Sequence, residues 1–257
     1  MSSAALPNTA QPAGANPRPA SRATPWWELG YVVGMLMLSG VAGLLAVRAA
    51  VLFSNSAGIP FTTDRLLVVM IAVIEAACCL LVLGRAWSTS GGDLVAELGL
   101  GRSHRLWLLA LAIGAELAFQ AYNLDSALRS PLCGLGLHVN ITPGVVALAR
   151  ETPGWFVLFV FALVVLSPAS EELMFRGWLW TALRRSWGPW PVALATGGLF
   201  WVMHAAYGWT YFLMLLPLAV MLTVVRQFTG SIRGTLALHV VHNAGVVALT
   251  LVLLRAC

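Results

Sequence analysis

Three short stretches of this chain carry side chains that can move protons, each at helical spacing. Glu171 and Glu172 are adjacent, with Arg176 four residues after the second; Phe200 stands four residues before His204; His239 stands four before Asn243, with His242 between them. On an α-helix Glu172 and Arg176 are neighbours and can pair, whereas Glu171 points about 100° away and finds no partner in its own helix. One carboxylate is therefore held by a guanidinium while the other is free to face a cavity. His239 and Asn243 share a helix face, and His242 shares it in part.

These residue types suit peptide hydrolysis. That reaction needs a base to take a proton from water, groups to hold the water, and donors for the developing oxyanion. A carboxylate taken out of water holds a proton more readily, which suits Glu171 to the role of base; His and Asn supply donors. Alternatively, Glu171, His204 and His239 make a His₂Glu set that could ligate zinc with an open position. The HExxH helix of soluble zinc peptidases is absent. Residue types alone leave both mechanisms open. Taken singly, each feature also has a bland reading: an intramembrane His can be an interhelical hydrogen bonder, and a Glu–Arg pair can be structural glue. The combination of an unpaired Glu, several His and an Asn points to a site.

The elements that must position these groups are membrane helices. The chain is 257 residues long, 59% hydrophobic and only 10% charged, with mean hydropathy +0.83. A soluble domain averages about 25% charged residues. Apolar runs predict spans at about Leu29–Phe53, Leu66–Trp87, Leu106–Asn123, Trp155–Leu183, Pro191–Tyr207, Tyr211–Arg226 and Thr235–Leu254. The fold class expected is therefore an all-α polytopic bundle of about seven spans, or eight. Pro168 in the fourth span predicts a bend or break. Residues 1–25, rich in Ala, Pro, Ser and Asn, are expected to be disordered. Residues 26–257 form the membrane domain, and the segment between about 124 and 153, with Pro131, Gly134, Gly136 and Pro143-Gly144, reads as irregular or re-entrant.

The net charge of +5 rests on 15 Arg and no Lys. They fall singly between apolar runs rather than in a patch, which argues against nucleic acid and for topology. Arg18, Arg22, Arg85, Arg102, Arg105, Arg184, Arg185, Arg226 and Arg233 fall on one side and Arg65, Arg129, Arg150 and Arg255 on the other, so the N-terminus is expected in the cytoplasm and the C-terminus outside. The composition also hints at a bacterial source and hence an inner membrane. Cys78, Cys79, Cys133 and Cys257 have no metal spacing and are assigned no role; a Cys133–Cys257 disulfide is topologically open.

The motifs Glu171-Glu172-x-x-x-Arg176, Phe200-x-x-x-His204 and His239-x-x-x-Asn243, in this order on successive helices, resemble the CPBP family of intramembrane proteases (CAAX prenyl protease type II, or Abi, bacteriocin-processing). Pro168, Phe175-Arg176-Gly177 and Gly230-Ser231-Ile232 extend the likeness, which covers about 155–247. The resemblance implies an intramembrane endopeptidase acting on a membrane-associated protein or peptide. It implies Glu171 as general base on a water positioned with His204, His239 and Asn243 as the oxyanion site, and Glu172 with Arg176 as a brace, Phe200 supporting. The family is described both as metallo-type and as glutamate-type, so no cofactor is certain and zinc is possible. His242 is outside the motif and is expected to be a neutral neighbour.

Arg48, Glu75 and Glu116 are each alone in a span; the expectation is a structural pairing such as Arg48 with one of the glutamates. Counted from their inside ends, Glu171 and His204 lie deeper than His239, which offset helices would reconcile. Two other classes stand beside the hydrolase: a non-catalytic immunity or chaperone-like membrane factor of the same fold, and a proton-coupled transporter. Transporters often carry internal repeats, and none is visible.

Overall fold

The computed structural model describes residues 25–58, 61–103, 105–129 and 152–256. The tail before residue 25, most of the segment from 124 to 153 and the cysteines Cys133 and Cys257 lie outside these, as do the expectations attached to them.

Among the described residues eight helices follow one another and there is no strand. They are α1 (Pro25–Ala57), α2 (Thr63–Ser90), the single turn α3 (Leu94–Glu97), α4 (Leu106–Arg129), α5 (Pro153–Arg184), α6 (Pro189–Met203), α7 (Trp209–Thr229) and α8 (Ile232–Ala256). Six of them, α1, α2, α4, α5, α7 and α8, are long and apolar enough to cross a membrane. Large apolar side chains stand outward along them, among them Leu44 at 65% and Leu80 at 70% exposure. Such a surface belongs against hydrocarbon rather than water. The protein is an integral, multi-pass helical bundle, as the hydropathy predicts.

The predicted fifth span is shorter than the rest. Its α-helix has 15 residues and continues as a 3₁₀ turn over His204–Tyr207. At 1.5 Å per residue that helix covers about 22 Å, short of the roughly 30 Å of a hydrocarbon core. Gly208, at φ +99°, then reverses the chain into α7. The two helices approach closely at Gly197, where a Cβ would stand 2.4 Å from Thr223 Oγ1.

Pro168 does not break α5. The turn before it, Ala162–Leu166, is a π-helix, and the Ser167 N–H reaches Ala162 O. The wider turn absorbs a residue that has no N–H to give. A second π segment runs from Glu172 to Leu179, so Glu171 is the last residue of the α-helical stretch between the two π segments and Glu172 opens the next. Single π turns inside α-helices re-aim side chains and concentrate at functional sites.

One end of the bundle is tied together by polar contacts. Arg85 of α2 reaches Glu28 of α1 at 3.2 Å; Arg185 after α5 reaches Glu97 of α3 at 2.5 Å; Ser231 before α8 donates to Gly101 O at 2.6 Å. Arg226 of α7 donates to the Arg176 carbonyl at 2.6 Å. Its guanidinium lies 2.5 Å from where a Cβ on Gly99 would stand, and the positive φ of Gly99 (+63°) favours glycine at this close approach.

Candidate active site

Between α5, α6 and α8 the apolar core contains a buried polar cluster. Glu172 and Arg176 are fully buried and pair through Oε1 and Nη1 at 3.0 Å. The same Glu172 oxygen lies 3.1 Å from His239 Nδ1. A carboxylate bonded to Arg accepts there, so Nδ1–H donates and the His239 ring of α8 is oriented by α5.

His204 is oriented in the same way from α6. Its Nδ1 is 2.7 Å from the Phe200 carbonyl, which can only accept, so Nδ1 carries the hydrogen. In both rings Nε2 is then turned towards one carboxylate. His239 Nε2 is 3.7 Å from Glu171 Oε2, and His204 Nε2 is 3.9 Å from Glu171 Oε1. Glu171 Oε2 is buried without a hydrogen-bond partner. The chain thus assembles a carboxylate and two imidazole nitrogens around one point, each short of direct contact. Atoms so spaced can share one water oxygen at about 2.8 Å from each.

Phe200 explains the spacing of its motif. Its ring is fully buried, faces the Arg176 guanidinium at 4.2 Å, meets His239 edge-on at 5.6 Å and lies 4.9 Å from His204. It is the apolar wall against which the charged brace and both imidazoles are fixed. Asn243, one turn beyond His239 on α8, donates from Nδ2 to the Leu163 carbonyl at 2.7 Å. That carbonyl lies in the first π segment of α5. Asn243 therefore joins α8 to α5 beside the cluster, with one amide hydrogen beyond that bond.

Several expectations are revised. Glu171 does have a partner in its own helix, because Ser167 Oγ, four residues back, donates to Oε1 at 3.1 Å. Glu75 and Glu116 do not pair with Arg48, whose side chain is exposed. Glu75 of α2 instead meets the Ser170 hydroxyl of α5 in a short contact. Glu116 of α4 accepts from His242 Nδ1 at 2.7 Å and from Gln120 at 2.8 Å. His242 is half of a separate buried pair that joins α4 and α8. The depth mismatch between Glu171, His204 and His239 is absent, since all three meet at one level.

As to zinc, Glu171, His204 and His239 agree in type with a His₂Glu set. Among the described residues, however, no group of three His, Cys, Asp or Glu side chains stands close enough to hold a metal ion.

A multi-pass helical bundle that buries Glu–Arg and His side chains at one level, with a half-buried Asn beside them, is the architecture of a membrane-embedded polar centre. Residues 153–245 match the family model described as type II CAAX prenyl endopeptidase Rce1-like, and the CPBP resemblance carried by the three motifs is borne out by that match. The family is one of proteases. No curated protein and no solved structure matches the chain.

Proposed function

We propose that this protein is an intramembrane endopeptidase in which Glu171 activates water for attack on a peptide bond of a membrane-associated protein or peptide. The observation that carries the reading is the convergence of Glu171 with the bare Nε2 atoms of His204 and His239 in an otherwise apolar bundle. A water in that space donates one O–H to Glu171 and the other to an imidazole nitrogen, leaving an oxygen lone pair for the carbonyl carbon. Glu171 takes the first proton as the C–O bond forms and returns it to the leaving amine as the C–N bond breaks.

The oxyanion needs donors. Asn243 has an amide hydrogen beyond its bond to Leu163. His239 donates there only with a hydrogen on Nε2, and Glu172 remains the acceptor for Nδ1 in either form. Glu172 and Arg176 hold His239 at the site rather than touching substrate. A bacterial inner membrane with the N-terminus in the cytoplasm is the location that fits the Arg distribution.

The test compares protein and peptide termini in membranes of cells carrying the wild type or Glu171→Gln. A set of termini made only by the wild type, with release slowed at least about 100-fold in the variant, is expected for loss of a general base. Identical termini from an equally abundant variant would overturn the reading in favour of a non-catalytic membrane factor. The same membranes treated with a chelator report on zinc: the proposed mechanism expects cutting to persist, and metal-restored cutting would make Glu171, His204 and His239 ligands instead.

A further inference from the structure

Glu75 stands across from the catalytic helix on α2, in a part of the chain the family match does not reach. Its Oε2 is in short contact with Ser170 Oγ. The same Ser170 oxygen lies 3.0 Å from the Ser167 carbonyl, and Ser167 Oγ lies 3.1 Å from Glu171 Oε1. Ser170 is nearly inaccessible, at 1% exposure. Glu75 is also near enough to interact electrostatically with Glu171 and His204.

Counting hydrogens decides what this chain of contacts can be. A serine hydroxyl has one hydrogen to give. With Glu75 ionised, Ser170 faces two acceptors, the Glu75 carboxylate and the Ser167 carbonyl, and can satisfy one. The Ser167 hydroxyl also lies within reach of Glu75, which adds one more acceptor to the cluster when Glu75 is ionised. With Glu75 as the acid the cluster gains a hydrogen: Glu75 donates to Ser170 Oγ, and Ser170 donates to the Ser167 carbonyl. Ser167 then donates to Glu171, which accepts as a carboxylate. A second carboxylate anion beside Glu171 in an apolar bundle would also be repelled.

We propose that Glu75 is held as a neutral carboxylic acid and is a positioning residue for Glu171. It fixes the Ser167–Ser170 turn through a donated hydrogen bond and leaves Glu171 the ionised member of the two. This rests on the reading of Glu171 as the base. Glu75 touches neither water nor substrate in this role; it acts through the two serines.

The test is infrared difference spectroscopy on the full chain in phosphatidylcholine vesicles at neutral pH, wild type against Glu75→Gln. Loss of a protonated-carboxyl C=O stretch, with the carboxylate bands unchanged, is expected. Loss of a carboxylate band instead overturns the proposal. In parallel, the release of the wild-type termini from native membranes is followed for Glu75→Gln, Glu75→Ala and Ser170→Ala. Glutamine keeps a donor towards Ser170, so cutting should stay within about threefold of wild type, whereas either alanine should slow it about tenfold or more, the size of one lost buried hydrogen bond. Glutamine as damaging as alanine would mean that the charge is what matters, and would sink the idea. The spectrum does not depend on proteolysis. If Glu171→Gln leaves the termini unchanged while the acid band is present, the protease reading fails and the protonation of Glu75 stands.

Discussion

Glu171 and Glu172 are chemically identical neighbours that the fold sets to different work. Glu172 is held through Oε1 between Arg176 and His239, both within about 3 Å, whereas Glu171 is bonded only by the Ser167 hydroxyl and faces the Nε2 atoms of His204 and His239 at 3.9 and 3.7 Å. Removing the cation alone leaves a carboxylate stranded in an apolar interior, which costs about 3–5 kcal/mol. Arg176→Met is therefore expected to lower the thermal midpoint of the detergent-solubilised protein sharply. The double variant Glu172→Gln, Arg176→Met removes both charges and should recover part of that loss; a double variant no more stable than the single one would mean that Arg176 acts by packing on Phe200 instead. The Glu172–Arg176 pair was legible in the sequence because its partners are four residues apart on one helix. Ser167 is equally close to Glu171 in sequence, but a serine among apolar residues signals nothing about cost. Glu75–Ser170 and Glu116–His242 are 95 and 126 residues apart, and only the packing of helices could reveal them.

The helices themselves were legible from hydropathy, because burial in lipid demands unbroken apolar runs and the chain has them. What hydropathy does not register is the hydrogen-bond register within a run. The π turns of α5, and the truncation of α6 into a 3₁₀ turn at His204, are set by tertiary contacts and by a proline that a wider turn can absorb. Both changes aim site residues: Glu171 and Glu172 straddle one junction, and His204 begins another. Accurate aim across helices requires close approach, and Gly197 supplies it for α6 against α7. Gly197→Leu is expected to cost about 1–3 kcal/mol through overpacking against Thr223. Gly197→Ala should be milder, and Thr223→Ala should rescue it by removing the oxygen that a Cβ meets. The readout is the thermal midpoint of the purified protein; absence of rescue would place the clash elsewhere in the α6–α7 contact.

At the scale of the whole molecule, the end of the bundle tied by polar contacts is also its arginine-rich end. Arg85 meets Glu28 near the start of α1, Arg185 meets Glu97, and Arg226 meets the Arg176 carbonyl near the end of α5. The start of α1, the end of α2, the end of α5 and the end of α7 therefore lie together. For the ends of α5 and α7 to share a side, α6 must run out and α7 return, even though α6 is too short to cross alone. This arrangement keeps the seven-segment order read from the sequence while explaining why one segment is short. The orientation proposed above from the Arg distribution puts that end in the cytoplasm. In a background with the native cysteines replaced by serine, a cysteine at the exposed Ser88 marks this end and one at the exposed Ser56 marks the opposite end. A membrane-impermeant maleimide applied to intact cells is expected to label Ser56→Cys, and to label Ser88→Cys only after the cells are opened. The reverse pattern would invert the protein in its membrane. Labelling of both sites in intact cells would instead mean that the two ends of α1 and α2 are not separated by the bilayer, which the polar ties at one end and the outward-facing leucines between them do not allow.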